Sequence, residues 1–245
     1  MIKLQRPEKP KQLTDEKIEE LTEEYKKTEN AVWNKDYIKK PLLKMAFGKC
    51  CFCETNINEE SKYMEVEHFH PKSLYSDEVV DWNNLLPICK RCNGTKNNHD
   101  TKLEPIINPV IDNPKEHLQL NYYRLYGITP LGKKTISVVA LNNKQRLVDV
   151  RFEIGDKLIE QLGRLLKNTQ GYLSNQTVEN RNDIVEYLSN IMIEGTKERE
   201  YSATAATVIL KDPNYQEIKQ LFINNQLWTT EFIELEKEMQ YCALI

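Results

Sequence analysis

Two cysteine pairs with the same internal spacing, Cys50-x-x-Cys53 and Cys89-x-x-Cys92, carry the densest chemistry in this 245-residue chain. A Cys-x-x-Cys knuckle wraps two thiolates around one point. Four such thiolates make the closed tetrahedral site of a structural Zn²⁺, an ion without redox chemistry of its own. An iron–sulfur cluster also takes four cysteines, and buried free thiols serve as small apolar filler. Both remain alternatives, although finding the same spacing twice favours a zinc clamp. Cys51 is expected to point away as filler, with the option of replacing Cys50, and the remote Cys242 is expected to sit in a core. The 35 residues between the pairs (54–88) exceed the usual zinc-ribbon gap, so something is held between the knuckles.

That segment reads Glu65-Val66-Glu67-His68-Phe69-His70-Pro71-Lys72-Ser73, then Asp81-Trp82-Asn83-Asn84-Leu85-Leu86-Pro87, and runs into Cys89-Lys90-Arg91-Cys92-Asn93-Gly94-Thr95-Lys96. The alternation from Met64 to Phe69 predicts a strand with Glu65, Glu67 and Phe69 on one face and Val66 and His68 on the other. Pro71 ends it, and a short helix is expected at Asn93. Histidine, with a pKa near neutrality, is the natural general base for activating water. A carboxylate and an amide oxygen suit a hard cation, Mg²⁺ or Mn²⁺, and such a cation offsets charge developing on a phosphate. Lys90, Arg91, Lys96 and Lys102, against Asp100, make Cys89–Lys102 a basic stretch able to meet a phosphate backbone, and Lys72 is a further candidate contact. A plainer account also exists: an isolated Glu-His pair is more often a surface pair or a satisfied buried histidine, and a basic run is often a solvated face. His70 shares a face with His68, so it and His99 are undecided candidates for phosphate or metal; His117 is expected to be structural.

The order Cys-x-x-Cys, acidic-His, Asn-Leu, Cys-x-x-Cys-Asn-x-x-Lys resembles the HNH, or ββα-metal, endonuclease family. That resemblance implies His68 as general base, Glu67 and Asn93 as ligands of Mg²⁺ or Mn²⁺, and Asn84 as the residue holding loop and histidine in place. Asparagine at the third position makes an H-N-N form. Further segments resemble the PtuB family of Septu anti-phage systems and of the retron systems that share it: Phe47-Gly48-Lys49-Cys50, Glu67-His68-Phe69-x-Pro71-Lys72-Ser73, Trp82-x-Asn84-Leu85-Leu86-Pro87, Ile107-Asn108-Pro109, Asp112-Asn113-Pro114, Thr135-Ile136 and Leu141-Asn142. The likeness covers roughly residues 40 to 145. It implies a nuclease effector acting on nucleic acid with a PtuA-like ATPase and, in the retron form, with a reverse transcriptase and its RNA–DNA product. The chain has no GxxxxGK[ST] loop, so ATP dependence would come from a partner. Two other classes remain: a zinc-knuckle module that binds nucleic acid without cutting it, and a scaffold subunit silent until assembly.

The elements around these residues are expected to be mainly helical. Hydrophobic residues make up 40% and charged residues 29%, with eight glycines, which fits a helix-rich globular protein. Thr14 can cap a helix with Ile18, Leu21 and Tyr25 on its apolar face, and Trp33, Tyr37, Ile38 and Leu42 predict a second. The sequence from Ile106 to Leu141 is punctuated by Pro109, Pro114, Gly127, Pro130 and Gly132, and Thr135–Val139 favours a strand. Helical periods return beyond Asn142, with Ile184, Tyr187, Leu188, Ile191 and Met192 the clearest stripe. More are expected around Ala203–Leu210, at Glu217–Ile223 after Pro213, and in the last dozen residues.

The expected class is therefore α+β, mostly helical. It comprises an N-terminal helical segment (1–45), a ββα-metal core with its zinc clamp (46–105), and a strand-and-turn segment leading into helices (106–245). The flanking helices are candidate docking surfaces. The formal charge of −3 gives no global attraction for nucleic acid, but a local patch suffices. No apolar run approaches the roughly 20 residues of a membrane span, and the first residues lack a signal-peptide core. A cytoplasmic protein is expected.

Overall fold

A computed structural model describes residues 1–59 and 62–245, with backbone alone for Lys62 and Tyr63. The chain forms two compact units: one comprises residues 3–118 and 126–141 with Met1, the other residues 119–125 and 142–245 with Ile2. The first contains the whole cysteine-bearing segment together with both N-terminal helices, so its limits cut across the three segments expected from the sequence.

In the first unit, α1 (Asp15–Thr28) starts where the Thr14 hydroxyl accepts from the Lys17 N–H. Asp15 and Glu16 lie in its first turn and Lys26 and Lys27 in its last, complementing the helix dipole. It stops at Glu29, whose left-handed backbone returns its N–H to the Tyr25 carbonyl. The next helix, α2 (Asp36–Met45), begins three residues beyond Trp33. The apolar period starting at Trp33 therefore overstates the helix, and Trp33 lies in the α1–α2 loop.

β1 (Asn58–Glu59), β2 (Lys62–His68) and β3 (Leu85–Cys89) form an antiparallel sheet in that order. In the β2–β3 register Glu65 faces Ile88, Glu67 faces Leu86 and His68 faces Leu85. Pro87 is tolerated because β3 is an edge strand. At the end of β3 the chain turns directly into α3 (Lys90–Lys96), one residue after the knuckle cysteine Cys89 and three before Asn93.

Two short strands follow, β4 (Leu118–Asn121) and β5 (Arg124–Gly127), joined through Tyr122 and Tyr123, both at positive φ as a tight two-residue turn requires. The strand expected at Thr135–Val139 is instead part of helix α4 (Pro130–Val138). Local β-propensity loses there to a strong start signal: Thr129 caps the Gly132 N–H and Pro130 occupies the first turn. Thr135, fully buried, donates back to the Leu131 carbonyl and accepts from Ile107 N–H. Two glycines are fixed by close approach. A Cβ on Gly127 would lie 2.3 Å from Lys133 N, and one on Gly132 would lie 2.0 Å from the His117 carbonyl oxygen.

The second unit is helical: α5 (Asp149–Ser174), α6 (Val178–Ile193), α7 (Ser202–Lys211), α8 (Pro213–Asn224) and α9 (Thr230–Cys242). On α5 the buried Leu158, Leu162, Leu165, Thr169 and Tyr172 recur at helical spacing. Every residue of α7 from Ser202 to Thr207 is buried, and its small side chains let α5 and α9 pack closely on it. Cys242 is in this core, as expected. Among the described residues, no helix is long and apolar enough to cross a membrane.

Candidate metal centre and adjoining cleft

The four sulfurs of Cys50, Cys53, Cys89 and Cys92 all lie within 4.8 Å of one another, with Cys53 and Cys89 Sγ 3.7 Å apart. Zn–S bonds of about 2.3 Å set at tetrahedral angles separate the sulfurs by about 3.8 Å, so the set can hold a metal ion such as zinc. Cys51 is buried outside this set, so it is not the ligand in place of Cys50. Each knuckle is braced by backbone. The Cys92 N–H donates to Cys89 Sγ where α3 begins, and the Glu54 N–H donates to the Cys50 carbonyl. Burial raises the Cys50 thiol, whereas the neighbouring thiols push Cys89 far below the usual thiol range.

Arg91 corrects one expectation. Its guanidinium turns away from solvent, donating to Cys92 Sγ at 2.9 Å and to the Ala140 carbonyl at 3.3 Å. Four thiolates around a divalent ion would leave excess negative charge, and the Arg91 guanidinium is placed beside it.

Beside the cysteines, β2 and α3 form the floor of an open cleft of about 700 Å³. Glu65, Glu67, His68, Lys72, Lys90 and Asn93 all line it. His68 is held from below: its Nε2 is 2.8 Å from the Val79 carbonyl oxygen. A carbonyl accepts only, so that nitrogen carries the proton and Nδ1 keeps its lone pair. Burial lowers this imidazole to about 4, opposed by the Val79 carbonyl and assisted by Lys72 and Lys96; at neutral pH it is uncharged.

Glu67 projects toward α3 and meets Lys96 at 2.5 Å, both side chains out of solvent. Burial raises its carboxyl to about 6 against the pull of Lys96, so it is still ionised at pH 7. Lys96 therefore departs from the expected phosphate contact: it is buried, neutralises Glu67 and donates to the His68 carbonyl at 3.2 Å. Asn93 donates Nδ2 to Glu65 Oε2 at 2.7 Å. The carboxylate takes only the NH₂ end, which leaves the Asn93 Oδ1 for another partner. Glu65 thus has a role that the motif comparison left unassigned, although its place on the Glu67 face was legible from the alternation.

Asn84 is buried behind the cleft and ties the loop together. Its Oδ1 accepts from His70 N–H at 2.7 Å, and its Nδ2 donates to the His70 and Glu78 carbonyls. His70 itself does not share the cleft. β2 ends at His68, and the chain turns His70 to pair with Glu78 Oε2 at 2.6 Å, while the Oε1 of the same carboxylate accepts from Lys102. His99 likewise lies outside the cleft lining, with Nε2 against the Glu104 carbonyl. His117 is bonded to Thr129. The rest of the lining was not anticipated: Ala31, Trp33 and Asn34 of the α1–α2 loop, Lys39 of α2, and Asn97 and Asn98 after α3.

Comparison with known proteins gives a consistent answer. The chain is 44% identical over 237 residues to Septu protein PtuB of Bacillus thuringiensis, an alignment covering 96% of this chain and 92% of that relative. It is 32% identical over 148 residues to Septu protein PtuB of Bacillus mycoides strain KBAB4, covering 45% of this chain and 49% of that one. No family model matches the chain, and no solved structure does. At that identity over nearly its whole length, the chain belongs to the PtuB family of Septu proteins.

Proposed function

We propose that the chain is an HNH-type, metal-dependent phosphodiester endonuclease, the nuclease component of an anti-phage Septu system that works with a PtuA-like ATPase. The observation that carries this reading is the state of His68: a neutral imidazole with one nitrogen committed to the Val79 carbonyl, on the floor of an open cleft beside Glu67 and Asn93. A fixed imidazole with a free lone pair beside an open cleft is the geometry a general base needs, while burial, by lowering it to about 4, works against its strength as a base. The antiparallel β2–β3 pair followed by α3 is then the ββα unit, with the cysteine clamp fastening its ends.

In this mechanism His68 accepts the proton of a water through Nδ1 while the Val79 contact fixes the tautomer. Asn84 holds the loop that carries Val79. The Asn93 Oδ1 and the Glu67 Oε2, the carboxylate oxygen that Lys96 does not take, are the hard oxygen donors that would hold Mg²⁺ or Mn²⁺, and Glu65 sets the Asn93 amide. When bound, such a cation supplies positive charge to the phosphate and the leaving oxygen. Lys72 and Lys90 attract the polymer backbone. A zinc domain that only binds nucleic acid has no use for an uncharged, oriented histidine in its cleft, which favours the enzyme.

The test is cleavage by the purified chain, with and without a PtuA-like ATPase, on single- and double-stranded DNA and on RNA. Cutting should depend on added Mg²⁺ or Mn²⁺. Binding without cutting under every one of these conditions would favour the non-catalytic module.

A further inference from the structure

The sequence places Trp33 on the apolar stripe of an N-terminal helix, yet the structure sets it in the cleft wall against His68. The two rings meet edge to face, with centroids 4.5 Å apart and planes at 83°. Tyr25 of α1 also meets the indole edge to face, with centroids 5.8 Å apart. The Lys72 ammonium lies 5.4 Å from the indole centroid. The loop is closed by short backbone bonds, Asn34 N–H to the Ala31 carbonyl and Lys35 N–H to the Trp33 carbonyl, and is anchored by the buried Val32. From the same helix, Lys26 reaches Asp77 at 2.6 Å, two residues before Val79. One partner of the His68 ring, the Trp33 indole, thus belongs to the loop that follows α1, and α1 also pairs at the surface with the segment that carries the other partner, the Val79 carbonyl.

A histidine with a single hydrogen bond can still turn about its side-chain torsions, exchanging which nitrogen faces the cleft. A second contact, on the ring rather than on a nitrogen, removes that freedom. We propose that Trp33 is the positioning residue for His68: it locks the imidazole with Nε2 on Val79 and Nδ1 toward the cleft, and it seats Lys72 beside them. The N-terminal helices are accordingly part of the catalytic unit. This inference rests on the nuclease reading above for its consequence in rate, while its structural content is independent of that reading.

Two measurements on the full chain separate the possibilities. The nitrogen-correlated imidazole spectrum, with His68 assigned by its loss in His68→Ala, should show one tautomer, protonated on Nε2. In Trp33→Ala the same signals should average between tautomers or broaden, and in Trp33→Phe they should remain single. Unchanged His68 signals in Trp33→Ala would overturn the proposal whether or not the chain cuts.

Where the wild-type chain cuts, Trp33→Ala should lower kcat by about 10- to 100-fold, the scale of a misplaced reacting group. KM should move much less, and Trp33→Phe should stay within about threefold of wild type. Trp33→Leu fills the space without a flat ring face and covers the case in which the alanine variant fails to fold. It should lose kcat by about 10-fold with zinc content intact. Full activity in both the alanine and leucine variants, with His68→Ala inactive, would sink the positioning role and leave the nuclease reading standing. Absence of cutting by wild type under all metals and partners would sink the nuclease reading, and the spectrum would then decide the fate of Trp33.

Discussion

Lys96 shows how far a side chain can depart from the part its type suggests. A lysine on a short helix in a basic stretch looks like a phosphate contact, yet this one is buried against Glu67 with no solvent-exposed side-chain surface. Removing one partner of a buried ion pair leaves the other charge uncompensated, at about 3–5 kcal/mol. Lys96→Ala should therefore lower the unfolding free energy by about that much in denaturant titration. Lys96→Met combined with Glu67→Gln should recover much of the loss. A surface lysine would show neither effect. The spacing singled out Asn84 and His68, and the structure sets one behind the cleft and the other on its lining. The roles of Trp33 and Lys96 were not legible, because burial and loop geometry assign them and neither leaves a mark in the local pattern. Glu65 lies between these cases: the period of two placed it on the right face, and only the hydrogen bond to Asn93 gives it a task.

At the level of elements, the four cysteine sulfurs join the Cys50–Cys53 turn to the β3–α3 junction, so a metal held there would fix the register of β3 and α3 against that turn. Structural zinc binding is coupled to folding. Cys89→Ser should lower bound zinc well below one ion per chain by metal analysis and abolish the cooperative thermal transition of that unit. A zinc-replete, cooperatively melting Cys89→Ser protein would contradict the clamp. The α4 region teaches a separate point. Thr135, Val138 and Val139 favour strand by type, but Thr129-Pro130 is a helix start, and the hydroxyl of Thr135 finds partners at Leu131 and Ile107 inside a helix. Capping and tertiary hydrogen bonds outweigh a few β-branched residues, whose preference spans only about 1 kcal/mol. Gly132→Ala should be poorly tolerated for the same tertiary reason, since its Cβ would collide with the His117 carbonyl. A loss of about 2 kcal/mol or more in denaturant unfolding is expected.

Across the whole molecule, the proposed nuclease function requires a chain with a formal charge of −3 to draw a polyanion to one place rather than everywhere. Lys39, Lys72 and Lys90 line the cleft, and Arg91 and Lys96 are engaged elsewhere. Affinity for nucleic acid should fall steeply with salt. Lys90→Ala should reduce the slope of log affinity against log salt by about 1, with little dependence on sequence. An unchanged slope would place the polymer elsewhere on the surface. The second unit carries no comparable cluster of chemistry among its described residues. Its helices were legible from periodicity, whereas the pairing of α5 with α7 and of α7 with α9 was not, because small-residue packing leaves no periodic signal.

The central claim, that the cleft beside the cysteines is a nuclease site with His68 as its base, is met most directly by comparing the wild-type chain with His68→Ala. Both would be assayed with Mg²⁺ or Mn²⁺ and the ATPase present, after matching zinc content and melting temperature. The account predicts loss of cleavage by at least about 100-fold in the variant, the scale of a missing general base, with zinc and stability unchanged. Equal cleavage by the two proteins would contradict it.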